Sequence, residues 1–420
     1  NQSNSGKKRN SSRERRQRKD LRNADVKRKA EDEQLAQQIS TMLLEEPRPS
    51  GEVLAELEQE RIFPLRKRSV KFPLARFFCR LCDYHCDTVA ICHKHIKDTR
   101  HKRLKLIRTT DILLKSLPAP SQVHVESLTQ VVETVYSKEA LPEEQVKVRL
   151  EIFEKVSAFV HSKYPDAKLS IYGSTATGFA LKDSDLNMDL SIDEAAKVLM
   201  AIHQLLKNDE SGYYQQVQSD FTAKIPCVFF QVAGTDTRCQ LSINSQIACQ
   251  TAELLKCYTS LDPRVKKIGV AFRHWAKIID IDQQDRGTLP SYVFGLMAVY
   301  FLQQCQPPVL PVLHELVQGE EKTQETSIRN IDQMKTLWRT ENKMSVGELW
   351  LNLLKFYSVE LDLNKIVICI RRQEPVPRDE KKWASKKLAI EDPYAKKRNV
   401  ARSVSHSHVF EYIYDRMRAT

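Results

Sequence analysis

Two sets of residues in this 420-residue chain have the types and spacing that site chemistry needs. The first is Cys79-x2-Cys82-x12-His95-x5-His101. Two thiolates on a tight knuckle and two imidazoles on one helix face give a metal ion four ligands in a tetrahedron. Four protein ligands leave no open position for water, so a zinc ion held there is structural rather than catalytic. A unit this small cannot bury enough apolar area by itself, and zinc binding is expected to drive its folding. The second set is Leu169-Ser170-Ile171-Tyr172-Gly173-Ser174, followed after ten residues by Asp185-Leu186-Asn187-Met188-Asp189. It reads as a strand ending in Gly-Ser, a loop, and an acidic strand whose i and i+2 side chains share one face.

Positive charge surrounds the first set. Lys94, Lys97, Arg100, Lys102, Arg103, Lys105 and Arg108 load the histidine-bearing helix and its exit, as contacts to phosphates require. A zinc module that reads DNA covers about three base pairs and works in tandem, and this sequence carries one. A lone module suits recognition of a duplex by shape, the way double-stranded RNA is read.

The elements that must hold these residues follow from the hydrophobic pattern. Helices are expected near 31–46 and 52–61, parted by the PRPSG run at 47–51, ahead of a cysteine-rich unit at 72–105. Helical spacing returns at 122–138 and 144–163. Short β-branched and aromatic runs near 168–173, 188–192, 225–232 and 238–243 predict strands, with a helix near 194–207. Further helices are expected near 248–259, 264–280, 291–304 and 346–358, and the polar span 317–342 reads as a loop.

Composition sets outer bounds. Hydrophobic residues make up 41% and charged residues 29%, values of a soluble globular protein. The longest near-unbroken apolar stretch, Tyr292–Leu302, has eleven residues, short of the roughly 20 that a membrane helix needs. No apolar h-region opens the sequence, so no signal peptide is expected. Residues 1–30 hold twelve Lys/Arg and three acids, nine of the net +12. Such a basic arm suits nucleic acid, an anionic membrane or an import receptor. Four of the ten cysteines fall within fourteen residues, which points to metal rather than to disulfides in a reducing compartment.

The Cys/His unit resembles the zinc-finger superfamily, in the longer-spaced variety of double-stranded RNA-binding proteins. Phe77 stands two residues before the first ligand, as in that family, and Cys86 and Cys92 fall where those fingers place core side chains. Ligation by Cys86, Cys92, His85 or His93 is the competing assignment. The Gly173-Ser174 loop and acidic strand resemble the polymerase-beta-like nucleotidyltransferases. In that family Gly-Ser holds the triphosphate, and three carboxylates hold two divalent metals that stabilise the attacking and leaving oxygens. Downstream, Ala271–Lys277 resembles the helix that carries phosphate-binding lysines. Leu289-Pro290-Ser291-Tyr292 through Leu302, Pro307–Pro311, Ser345–Trp350 and Ile390–Tyr394 resemble the poly(A)-polymerase-associated region. Residues from about 142 to 404 are thus similar to the terminal uridylyltransferases and their poly(A)-polymerase relatives. With the finger in front, the chain resembles the N-terminal half of the zinc-knuckle members. The resemblance implies a nucleotide-like pocket at Gly173, Ser174, Lys277, Ser291 and Tyr292, where Tyr292 either stacks a base or belongs to the core. As partners it implies the lin-twenty-eight RNA-binding protein on microRNA precursors, and a catalytic half of the same enzyme. No second Gly-Ser plus acidic strand and no Cys-Cys-His-Cys knuckle occurs in the sequence.

The departures from the family pattern carry the functional expectation. Asp185 fits the first metal carboxylate, but the second position is Asn187 and the third, within Arg238–Asn244, is Gln240. An amide oxygen can touch a metal, yet it does not offset the charge of two divalent cations, and Mg²⁺ is normally held by carboxylates with substrate phosphates. The family's Asn-Thr nucleotide contact stands as Thr251-Ala252, its first helix lysine as Arg273, and its uracil-selecting histidine as Arg398. Asp189 and Asp236 are the candidates to replace the lost acids, although Asp189 lies about 6–7 Å along the strand. The expected fold class is α+β: a basic arm at 1–64, a zinc finger at 65–115, a pseudo-nucleotidyltransferase core at 120–260 and a helical poly(A)-polymerase-associated domain at 261–420. The expected function is binding of structured RNA, a microRNA-precursor stem, with structural Zn²⁺ and no membrane. The expected compartment is the cytoplasm, although the arm resembles a nuclear-import signal. The alternative is an active terminal uridylyltransferase using Mg²⁺ or Mn²⁺.

Overall fold

The computed structural model of the protein describes residues 49–67, 69–316 and 331–420; the basic run at 1–30 and the helix expected at 31–46 lie outside these residues. The described chain divides into two units after Leu117.

The first unit opens with helix α1 (Gly51–Gln59), whose N-cap Ser50 side chain accepts the Val53 N–H. Strand β1 (Ile62–Pro64) pairs antiparallel with β2 (Phe77–Cys79), which pairs in turn with β3 (Tyr84–Cys86). Helices α2 (Val89–Ile96) and α3 (Thr99–Ser116) follow. Leu57, Ile62, Phe77, Cys86 and Cys92 pack into the core of this unit. Residues 51–64, assigned to the arm as a short helix, therefore build part of the Cys/His module. Four glutamates in Glu52–Glu60 mask the apolar Leu57 and Ile62 that anchor the segment. The unit also runs past 105, because α3 continues to Ser116.

The second unit begins with α4 (Gln122–Glu139) and α5 (Glu143–Lys163). It continues through β4 (Lys168–Tyr172), α6 (Gly173–Thr177), β5 (Leu186–Ser191), α7 (Ala195–Lys207), β6 (Tyr214–Asp220), β7 (Cys227–Val232) and β8 (Arg238–Ile243). The sheet order is β4-β5-β8-β7-β6, with β5 and β8 parallel and the other pairs antiparallel. Alternation along a strand sends successive side chains to opposite faces. Leu186, Met188 and Leu190 with Cys239, Leu241 and Ile243 join Ile152, Val156 and Val160 of α5 and Leu199, Ile202 and Leu206 of α7 in one core. Asn187 and Gln240, paired in register, belong to the other face. Strand β6 is not foreseen by the apolar pattern, because its Gln, Ser and Asp side chains stand exposed on the sheet's edge.

A helical body follows: α8 (Gln246–Leu261), α9 (Pro263–Ile278), α10 (Tyr292–Gln304), α11 (Leu313–Leu316), α12 (Ile331–Leu337) and α13 (Val346–Lys355). The short pair β9 (Ile366–Val367) and β10 (Val376–Pro377) precedes the last helix, α14 (Ser407–Ala419). Eleven of the thirteen residues of α10 are buried, so it runs through the centre of this body. The expected boundary near 260 does not hold for packing: Val132 of α4 and Leu254, Leu255 and Tyr258 of α8 sit in the helical core. Gly347 lets α4 and α13 touch, since a Cβ there would run into Thr129. Gly269 of α9 likewise leaves room for the Phe179 ring, which no side chain at that position could share. Helix α12 lies inside the span read as a loop. No helix among the described residues is long and apolar enough to cross a membrane.

Candidate functional site

Cys79, Cys82, His95 and His101 converge, with one ligand atom from each lying within 4.8 Å of all the others. Zn–S bonds of about 2.3 Å and Zn–N bonds of about 2.0–2.1 Å give a tetrahedron with S···N edges near 3.6 Å and N···N edges near 3.3 Å. His101 Nδ1 stands 3.5 Å from Cys79 Sγ, 3.6 Å from Cys82 Sγ and 3.2 Å from His95 Nε2. The three spacings to His101 Nδ1 match the edges of a tetrahedral site, and the four donors together lie close enough to share one cation. Burial, and then the neighbouring Cys79, push the Cys82 thiol up to about 12; a cation among the donors supplies the charge that favours the thiolate. Cys86 and Cys92 lie in the core and outside this group.

The two histidines are not on one helix face as the spacing first suggests. His95 lies in the last turn of α2, and His101 lies in the first turn of α3, whose N-cap Asp98 accepts the Arg100 N–H at 2.7 Å. Residues six apart on one continuous helix would point to well-separated directions. The break at Lys97–Asp98 is what brings the rings together. Lys94, Lys97, Arg100, Lys102 and Arg103 are exposed on these helices. The Lys105 ammonium donates to Glu60 Oε1 at 2.6 Å, which commits it to an ion pair inside the unit.

In the second unit Gly173 starts α6 at φ 73°, and a Cβ there would lie 2.7 Å from Asn187 Nδ2. Only glycine both adopts this conformation readily and admits the Asn187 side chain. Ser174 follows within α6. Asp185 directly precedes β5, and Asn187 pairs with Gln240 across β5 and β8. Burial pushes the Asp185 carboxyl up from its ordinary range, against the pull of Arg238, Arg149 and Arg273. Asp189 does not join it: its buried carboxylate accepts the Ser245 N–H at 2.9 Å. Asp236 is exposed in the turn between β7 and β8. Among the described residues, the Cys/His module holds the one grouping of three or more metal-ligand side chains.

The expected phosphate-binding cations have partners inside the chain. Arg273 donates to Phe179 O at 3.1 Å and Ser184 Oγ at 3.0 Å, and stands 3.7 Å from Asp282. Asp282 in turn accepts the Ser291 hydroxyl. Lys277 pairs with Asp183 beside a cleft of about 390 Å³ lined also by Glu139, Leu181, Lys182 and His274. Tyr292 is partly buried and packs against the helical core; burial pushes its hydroxyl up to about 12, with Arg398 opposing. Arg398 itself stands 3.5 Å from Asp392. Thr251 and Ala252 are buried, and the Thr251 hydroxyl donates to Ile247 O within its own helix at 2.8 Å.

Three functional side chains escape the sequence reading. Arg149 of α5 donates to Thr175 Oγ1 at 2.9 Å and Ser184 O at 2.5 Å, gripping the segment that leads into Asp185. Its place between Val146, Ile152 and Val156 at helical spacing was the available signal. Asp282 and Glu60 stand in polar stretches with no local pattern to mark them.

Comparison with known proteins agrees with the fold of the second unit. The family described as TUTase nucleotidyltransferase domain matches residues 108–243, and that described as Cid1 family poly A polymerase matches residues 345–398. Human terminal uridylyltransferase 4 is 34% identical over 421 residues, covering 86% of this chain and 26% of that protein. Human terminal uridylyltransferase 7 is 34% identical over 405 residues, covering 87% of this chain and 27% of that protein. This chain thus spans about a quarter of the length of these two curated relatives. Mouse poly(A) RNA polymerase GLD2 is 29% identical, over 60% of this chain and 55% of that protein. The solved structure of Cid1 in complex with the UTP analog UMPNPP matches with a TM-score of 0.62 and 25% identity, covering 70% of this chain and 92% of that one. The chain has the Cid1-like nucleotidyltransferase fold with its poly(A)-polymerase-associated domain.

Proposed function

From a chain that is homologous to terminal uridylyltransferases 4 and 7 and carries their nucleotidyltransferase and poly(A)-polymerase-associated domains, we propose an RNA- and partner-binding module that does not itself transfer nucleotides. The observation that carries this reading is Asn187 facing Gln240 across β5 and β8, with Asp185 the remaining acid of the three. Two-metal phosphoryl chemistry uses carboxylates to hold two divalent cations against the attacking and leaving oxygens. Here two of those holders are neutral. Asp189 is committed to the backbone of Ser245, and Arg273 and Lys277 are paired with Asp282 and Asp183.

On this reading Cys79, Cys82, His95 and His101 hold a structural zinc ion. The metal supplies the folding energy that a small core lacks. The exposed Lys94, Lys97, Arg100, Lys102 and Arg103 contact phosphates along the stem of a microRNA precursor. The second unit offers a surface to RNA and to the lin-twenty-eight RNA-binding protein. Joined to a catalytic uridylyltransferase half, the module raises the effective concentration of substrate there. Its compartment on this reading is the cytoplasm.

The test is incorporation of labelled UTP into a short RNA hairpin by the purified chain, with Mg²⁺ and then with Mn²⁺. The expected result is hairpin binding without extension. Metal-dependent extension that disappears in Asp185→Ala would overturn the reading and make the chain an enzyme in its own right.

A further inference from the structure

Glu60 lies outside every motif, yet it meets the buried end of a metal-ligand residue. His101 has no exposed surface. Its Nδ1 faces Cys79, Cys82 and His95, while its Nε2 lies 3.2 Å from Glu60 Oε2. The other carboxylate oxygen, Glu60 Oε1, accepts from Lys105 Nζ at 2.6 Å. The chain Lys105–Glu60–His101 therefore ends on the four-donor group. A neutral imidazole carries one N–H and one lone pair. A carboxylate at Nε2 selects the form with the proton on Nε2, which leaves the Nδ1 lone pair turned toward the other three donors. It also gives a fully buried N–H its acceptor, whose loss would cost a desolvation penalty. His95, by contrast, presents Nε2 to the group, and its ring stacks on Tyr84 with centroids 4.7 Å apart.

We propose that Glu60 is a positioning residue for the metal: held by Lys105, it fixes the tautomer and ring plane of His101 and so sets the affinity of the Cys/His group. The inference rests on the reading that Cys79, Cys82, His95 and His101 bind zinc. It gives α1 and β1 a purpose beyond packing, since the turn between them carries the carboxylate. It also assigns Lys105 to this chain of contacts in place of RNA.

The test uses the full chain and three proteins: wild type, Glu60→Met and Glu60→Gln. Methionine keeps the size and removes the acceptor; glutamine keeps an acceptor oxygen and removes the charge. Zinc affinity is read by competition with a chromogenic chelator. The tautomer is read from the ring-nitrogen NMR shifts of His101 in the zinc-loaded protein. Glu60→Met is expected to bind zinc about 10–100-fold more weakly, the usual effect of losing a partner of a metal-bound histidine. Glu60→Gln is expected to lose less and to keep the proton on His101 Nε2. Equal affinity of Glu60→Met and wild type, or equal loss in both variants, would overturn the inference. A wild-type chain that takes up no zinc would instead overturn the zinc reading beneath it.

Discussion

Replacing Arg149 by Met tests how the loop before Asp185 is held. Arg149 is 2% exposed on α5. It makes two short hydrogen bonds, to Thr175 Oγ1 at 2.9 Å and Ser184 O at 2.5 Å, and two long ones, to Lys182 O at 3.4 Å and Asp185 O at 3.5 Å. A hydrogen bond from a charged donor contributes about 1.5–3 kcal/mol, so the two short ones together contribute about 3–6 kcal/mol. Methionine recovers part of this, because it removes a guanidinium that is costly to bury. The expected net loss is about 2–4 kcal/mol, a fall of roughly 3–6 °C in the melting temperature of residues 118–420. The measurement is differential scanning calorimetry of the full chain. Arg149→Lys, which can reach one acceptor but not all four, is expected to fall between the two. A melt of Arg149→Met within about 1 °C of wild type would refute the argument that this guanidinium clamps the loop.

Three further outcomes are expected. On the zinc reading, a strong chelator removes on the order of 10 kcal/mol of folding energy, so residues 51–117 become protease-sensitive while residues 118–420 keep their protection; limited proteolysis with mass spectrometry checks this. Burial, then Arg371 and Lys396, hold the His314 pKa down at about 4. The unfolded chain protonates this residue near 6.5, so the stability it contributes above that pH is lost as pH falls toward 4. The drop in melting temperature from pH 7 to pH 4.5 should therefore be smaller in His314→Gln than in wild type. Gly269→Ala drives a methyl into the Phe179 ring. Overpacking of this kind costs about 1–3 kcal/mol, and a lower urea midpoint would register it.

Legibility in the sequence followed periodicity. Strand β5 was readable because Leu186, Met188 and Leu190 alternate with polar residues, and the same alternation put Asn187 on the site face. Strand β6 was not, because an edge strand with Gln215, Gln216 and Gln218 exposed has no apolar signature. The four Cys/His donors were readable from spacing alone, but the break at Asp98 was not. The x5 interval held the missed signal, since a continuous helix cannot use that spacing to bring two rings together. Helix α14 was missed although Val409, Phe410, Ile413 and Met417 recur at helical spacing. Glu60 and Asp282 could not have been found in this way. Their roles come from long-range partners, His101 at a separation of 41 residues and Arg273 in a different element.

The charge around Asp185 bears on what the second unit can hold. Its carboxyl is flanked by Arg238, Arg149 and Arg273. Arg149 and Arg273 are fixed by backbone carbonyls rather than free to swing away. Two unit charges about 4 Å apart interact by about 4 kcal/mol at an effective dielectric of about 20. Exchanging two carboxylates for Asn187 and Gln240 forfeits attractions of that order for each divalent cation and leaves the guanidinium repulsions in place. For phosphate the sign reverses, since the same exchange removes the acids that would repel it. On the proposed reading, the two exchanges that weaken the hold on paired metal ions also lower the repulsion of a phosphate backbone near Asp185, while the buried guanidiniums keep their partners inside the chain.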